Sequence, residues 1–239
     1  MKRALVTGGS GAIGAAICRQ LAADGMHVII HANSNLAAAQ GVRDALVAEG
    51  HSAETVQFDV ADASNTQAAL EALLQGGAIQ VLVNNAGVHD DAVFPGMQAA
   101  QWHRVIDISL HGFFHVTQPL TMPMVRCRWG RIITISSIAG ITGNRGQANY
   151  AAAKGALHAA TKTLALELAT RGITVNAVAP GIISSDMTRE VFDANAIGIL
   201  VPMKRAGKPE EVAALVGFLA SEPAAYITGQ VISVNGGMA

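Results

Sequence analysis

The chain has 239 residues, of which 51% are hydrophobic and 14% charged, and its net charge is −1. Nothing in that balance argues for nucleic acid as a main partner, and it suits a large core in one α/β domain. No apolar run is long enough to cross a bilayer, and the first β-prone run starts too close to Met1 for a signal peptide.

Arg3-Ala4-Leu5-Val6-Thr7 is that first run. Gly8, Gly9, Gly11 and Gly14 follow, and Ile13, Ile17 and Leu21 then recur at helical spacing. Strand, Gly-rich turn and helix is the layout in which a dinucleotide pyrophosphate meets backbone at a helix N-terminus. A plain tight turn also uses glycine, so the pattern alone is open. Further along, the periodicity predicts strands at 27–31, 53–58 and 80–84, with helices at 36–49 and 64–74. A long helix is expected at 102–125, kinked or broken by Pro119 and Pro123. Strands at 131–136, 173–178 and 231–234 alternate with helices at 149–170 and 210–221. Strands alternating with helices imply a parallel sheet with helices on both faces. No linker, repeat or second domain interrupts the pattern.

Ser137 ends the apolar run Ile132-Ile133-Thr134-Ile135, and Tyr150 and Lys154 stand four apart in an Ala-rich segment. On a helix that spacing puts both on one face, about a turn apart. A phenol alone titrates near pH ~10, and a neighbouring cation is expected to lower that value. A tuned Tyr can exchange a proton with a carbonyl or alcohol, and a Ser hydroxyl can donate to the same oxygen. Taken alone, Y-x-x-x-K is also what chance places in a chain of this length.

Together these pieces resemble the short-chain dehydrogenase/reductase family, and within it the carrier-protein reductases that act on 3-oxoacyl groups. The likeness runs through Thr7-Gly8 with Gly14, Asp59-Val60, Asn84-Asn85-Ala86-Gly87, Ser137, Tyr150 and Lys154. It continues through Arg171-Gly172-Ile173-Thr174-Val175-Asn176, Pro180-Gly181, Tyr226-Ile227-Thr228-Gly229-Gln230 and Val234-Asn235-Gly236-Gly237. Gly146 to Lys154 is especially close to the carrier-protein reductases. The resemblance implies a Rossmann-type doubly wound parallel sheet of about seven strands, with 1–239 as one dinucleotide-binding and catalytic domain.

It also implies NADP(H) as cofactor and names the residues that would hold it. Gly8, Ser10, Gly11, Ile13 and Gly14 would form the pyrophosphate turn. Asp59 and Val60 would stand by the adenine, and Asn84, Ala86 and Gly87 by its ribose. Pro180, Gly181, Ile183 and Ser185 would stand by the nicotinamide, with Tyr150 and Lys154. The Asn84-Asn85 pair is equally a structural turn, with Asn85 bracing the sheet. After strand two the sequence is His31-Ala32-Asn33-Ser34-Asn35, with no acid to repel a 2′-phosphate, and Asn33 and Ser34 can donate to one. Gly11 stands where related reductases often carry an Arg, which leaves NADP without that cation.

For the chemistry, the resemblance implies that Tyr150 protonates a developing alkoxide, Ser137 hydrogen-bonds it, and Lys154 tunes the phenol and binds the nicotinamide ribose. Ser109 stands where the family usually has an Asn that holds a relay water. Gln147 and Met187 would face the substrate, under a lid near 185–205 in which Met187, Val191, Phe192, Ile197 and Leu200 suit an acyl chain or equally the packing of the lid itself. Arg128 and Arg171 would dock an acidic carrier protein, although ordinary solvated charge fits them as well. A cytoplasmic homotetramer is expected, built on the two long helices and the C-terminal end.

Cys18 and Cys127 read as reduced packing residues rather than a disulfide. His111 and His115 are four apart, as metal ligands can be, but no third ligand lies near in sequence and no metal is expected. The other six histidines are scattered and mark no site. Three readings stay open: a 3-oxoacyl thioester reductase of fatty-acid or related polyketide or polyene synthesis, a reductase or dehydrogenase of a small free ketone or alcohol, and a catalytically weakened structural or NADP-responsive subunit.

Overall fold

The computed structural model describes residues 1–184 and 194–239. Seven strands form one sheet: β1 (Arg3–Val6), β2 (His27–Ala32), β3 (Ala53–Gln57), β4 (Val81–Asn84), β5 (Gly130–Ile135), β6 (Ile173–Pro180) and β7 (Val231–Val234). All neighbours are parallel, in the spatial order β3, β2, β1, β4, β5, β6, β7. Winding therefore reverses between β1 and β4, and a crevice opens there at the carboxyl ends. The expected Rossmann-type doubly wound fold is the one observed.

The helices among the described residues are α1 (Ala12–Ala23), α2 (Leu36–Ala48), α3 (Ala63–Leu74), α4 (Ala99–Ile106), α5 (Gly112–Cys127), α6 (Ala139–Thr142), α7 (Ala148–Leu168), α8 (Ala194–Leu200) and α9 (Pro209–Ala220). Alternation along β1 divides the core. Ala4 and Val6 pack with Ile17 and Leu21 of α1, Leu46 of α2 and Val212 and Val216 of α9. Leu5 points the other way, into a cluster with Leu70 of α3, Val116, Leu120 and Met124 of α5, and Leu168 of α7. Both faces of β5 and β6 are buried, which is why they read as continuous β-branched runs. Each fully buried Leu or Ile contributes about 1.5–3 kcal/mol over its exposed state.

Expected strands and helices are found with ends shifted by a few residues, except the long helix before β5. It is three pieces: α4, a π-helical turn at Asp107–His111, and α5. The break does not fall at the prolines, since α5 runs through Pro119 and Pro123. Burial of Val116, Leu120 and Met124 against the sheet outweighs the two missing backbone donors. Ser185, Met187, Val191 and Phe192 of the expected lid lie outside the described residues; Ile197 and Leu200 lie in α8.

Candidate active site

The Gly-rich turn links β1 to α1. Gly8 has φ +61°, a conformation that favours glycine. A Cβ on Gly14 would collide with the Gly8 carbonyl and stand 2.9 Å from both Asn85 Nδ2 and Gly9 Cα. Asn85 Nδ2 donates to the carbonyls of Thr7 at 2.9 Å and Gly8 at 3.0 Å, so Asn85 does brace the turn. His31 reaches the same turn, accepting from Gly8 N at Nδ1. Nothing in the histidine spacing signals this contact.

A cleft of about 760 Å³ opens over this turn. Gly8, Ser10, Gly11, Ile13 and Gly14 line one side; Ala86 and Gly87 follow β4. Ser137, Tyr150 and Lys154 line the middle, and Pro180, Gly181 and Ile183 follow β6. Asn33 and Ser34 are exposed beyond the end of β2, where Gln57 Nε2 donates to the Asn33 carbonyl at 2.7 Å. Asp59 and Val60 follow β3; the Asp59 carboxylate accepts from Ala61 N at 2.9 Å. Asn84 is buried, does not line the cleft, and donates to Thr117 Oγ1 at 2.9 Å. Backbone that only glycine permits, a helix N-terminus and a cleft of this size together fit a dinucleotide.

Lys154 is buried, and its Nζ donates to the Ile135 carbonyl at 2.8 Å. The same nitrogen lies 5.5 Å from the centre of the Tyr150 ring. Burial pulls the Lys154 amine down to about 8. Burial pushes the Tyr150 phenol above its ordinary value, a hydrogen bond with Ser137 pulls it down, and Asp91 pushes it up again. The expected lowering of the phenol is therefore corrected. The ammonium is held on a backbone carbonyl, and burial is the largest influence on the phenol. Tyr150 keeps its proton at neutral pH, the state a proton donor needs.

Ser109 lies in the π-helical turn and is buried, with no hydrogen-bond partner for Oγ among the described residues. A Cβ on Gly87 would be 3.2 Å from Lys154 Nζ and 3.6 Å from Ser109 Oγ, so both groups border that one glycine. A cavity of about 10 Å³ lies among Ser109, Asn84, Thr134 and Lys154, about one water in size.

Gln147, just before α7, donates to Asp91 Oδ2 at 2.9 Å. Asp91 and its neighbour His89, at the rim, carried no signal in the sequence because a loop of polar residues looks alike whatever it faces. Ser136, just after the apolar run, is bonded to His158 Nε2 on α7 and so ties the helix carrying Tyr150 to the end of β5. Arg128 and Arg171 precede β5 and β6, at the strand ends opposite the cleft, so neither lines it. The two segments meet: Gly130 N donates to the Gly172 carbonyl at 3.3 Å. His111 bonds Asp107 at 2.9 Å and His115 bonds the Val60 carbonyl at 2.9 Å. Cys18 is buried, its thiol pushed up to about 12 by burial. Cys127 is exposed, against the expectation of a packing residue, because it ends α5 on the solvent side.

Residues 2–196 match the family model of short chain dehydrogenases. The 3-oxoacyl-(acyl-carrier-protein) reductase of Synechocystis sp. is 47% identical over 98% of this chain and 96% of its own length. That of Aggregatibacter actinomycetemcomitans is 44% identical over 98% of both chains. Nodulation protein G of Azospirillum brasilense is 45% identical over 99% of this chain and 98% of its own. A Gly-rich turn on β1, a Ser–Tyr–Lys set at the carboxyl ends of the strands and likeness along nearly the whole chain have one common explanation: the chain belongs to the short-chain dehydrogenase family.

Proposed function

We propose that the protein reduces a 3-oxoacyl thioester, carried on an acyl carrier protein, to the 3-hydroxyacyl thioester with NADPH. The observation that carries this is Ser137, Tyr150 and Lys154 in one cleft with the Gly-rich turn. Relatives named for this reaction at 44–47% identity support the substrate class. Residues 1–239 act as one dinucleotide-binding and catalytic unit.

Hydride delivery is the chemistry that the nicotinamide supplies when bound. Gly8, Ser10, Gly11, Ile13 and Gly14 would hold the phosphates at the N-terminus of α1. The acid-free end of β2, with Asn33 and Ser34, admits a 2′-phosphate. Asp59 and Val60 would bound the adenine and Ala86 and Gly87 its ribose side; Pro180, Gly181 and Ile183 would bound the nicotinamide half. Tyr150 gives its proton to the substrate oxygen, Ser137 hydrogen-bonds that oxygen, and Lys154 balances the phenolate that forms. Ser109 serves proton return to Lys154.

Arg128 and Arg171 present adjacent positive charge for an acidic carrier at a distance from the cleft. A homotetramer fits the exposed Phe114 and Met122 on α5 and Leu166 on α7, which are 61%, 53% and 83% accessible. A cytoplasmic location fits free cysteines, and no helix among the described residues is long and apolar enough to cross a membrane. The test is a panel of acetoacetyl carrier thioester, acetoacetyl thioester of a small thiol, and free ketones, each with NADPH and NADH. Turnover of the thioesters with NADPH supports the reading; turnover of free ketones alone overturns it.

A further inference from the structure

We infer that His31 is a positioning residue for the dinucleotide: its ring locks the Gly-rich turn to the end of β3 and so sets how tightly the cofactor is held. The inference rests on the cofactor reading above. His31 is 1% exposed and lies in β2, between the strand that feeds the turn and β3. Its Nδ1 stands 3.0 Å from Gly8 N, and its Nε2 stands 2.9 Å from the Phe58 carbonyl oxygen. A carbonyl only accepts, so Nε2 carries the hydrogen and Nδ1 is left to accept from Gly8 N–H. The two contacts select one tautomer of the uncharged ring.

The backbone of the same residue acts on the same turn. Gly9 N donates to the His31 carbonyl at 2.9 Å. One residue thus takes two successive amides of the turn and also grips the residue before Asp59. The Phe58 ring packs on the imidazole with centroids 4.1 Å apart, which fixes the ring plane. Burial holds the imidazole down to about 4, so the clamp is intact throughout the neutral range.

The turn needs holding. Gly8 has φ +61°, and its carbonyl takes Gly11 N at 3.2 Å and Asn85 Nδ2 at 3.0 Å. Its N–H is the remaining handle on its position. Without an acceptor that N–H is left unsatisfied, and the turn relaxes to wet it. Such movement reshapes the wall on which the phosphates rest, while Tyr150 and Lys154, on α7, stay in place.

Three substitutions separate the two contacts. His31→Asn sets a carbonyl oxygen near the place of Nδ1 and keeps the Gly8 contact. His31→Gln sets an amide nitrogen near the place of Nε2 and keeps the Phe58 contact. His31→Leu keeps neither. Equilibrium binding of NADPH to the full chain is followed by nucleotide fluorescence, with thermal unfolding of each variant alongside. His31→Asn is expected to bind within about twofold of wild type, and His31→Gln and His31→Leu about tenfold more weakly. Their turnover at saturating NADPH is expected to stay within about twofold of wild type. His31→Gln as tight as wild type overturns the proposal. So does His31→Asn as weak as His31→Leu, since affinity would then follow packing rather than the Gly8 contact. If His31→Leu does not fold, the Asn and Gln pair decides. A wild type that binds neither NADPH nor NADH overturns the cofactor reading together with this one, an outcome distinct from any difference among variants.

Discussion

Lys154 Nζ lies 5.5 Å from the centre of the Tyr150 ring while donating at 2.8 Å to the Ile135 carbonyl. The ammonium is thus anchored to the end of β5 and faces the phenol from a fixed point. It stands ready for the phenolate that proton transfer creates, and the resting phenol keeps its proton.

This gives a pH dependence with opposite signs for activity and stability. Burial lowers Lys154 from 10.5 to about 8. Above that pH the native amine sheds its charge, so kcat/KM for the thioester should fall along a basic limb near 8. Over the window from about 8 to 10.5 the unfolded chain still holds the proton that the native chain has released. Lys154 therefore makes stability rise with pH across that window. Chemical denaturation of wild type against Lys154→Met isolates the effect: the wild type should gain on the variant between pH 8 and 10. A flat difference would place the amine in contact with solvent.

Gly14→Ala should disable the turn. The added methyl meets the Gly8 carbonyl and Asn85 Nδ2. Overpacking of this kind costs about 1–3 kcal/mol, and the turn must open to relieve it. Thermal denaturation and NADPH titration should show a lower Tm and a Kd raised about tenfold or more. An unchanged Kd would mean that the phosphates do not rest on this turn.

Ser109 asks for a direct comparison. Its hydroxyl borders Gly87 together with Lys154 Nζ, across a space about one water wide. Wild type should be active, and Ser109→Asn should change kcat by less than about tenfold. A dead wild type rescued by Ser109→Asn would show that the shorter arm has lost the relay.

Much of this was legible in the sequence. The turn at Gly8 to Gly14, the Tyr150–Lys154 spacing and the β-branched strands are local patterns, and local patterns survive into the fold. What escaped depends on contacts distant in sequence. Pro119 and Pro123 lie inside an unbroken α5 because the sheet beneath supplies Leu120 and Met124 with a core. The phenol titrates upward because desolvation is a property of the folded site. His31 looked like one of several scattered histidines; only the neighbours Gly8 and Phe58, each 23 or more residues away in sequence, give it a task.

The most direct test is single-turnover reduction of an acetoacetyl carrier thioester by NADPH, wild type against Tyr150→Phe, with NADPH affinity measured on both. The expected result is unchanged NADPH binding and a rate lowered about 10³-fold or more by loss of the one phenolic hydroxyl. A variant that binds NADPH and turns over within a few fold of wild type would contradict the assignment of Tyr150 as proton donor.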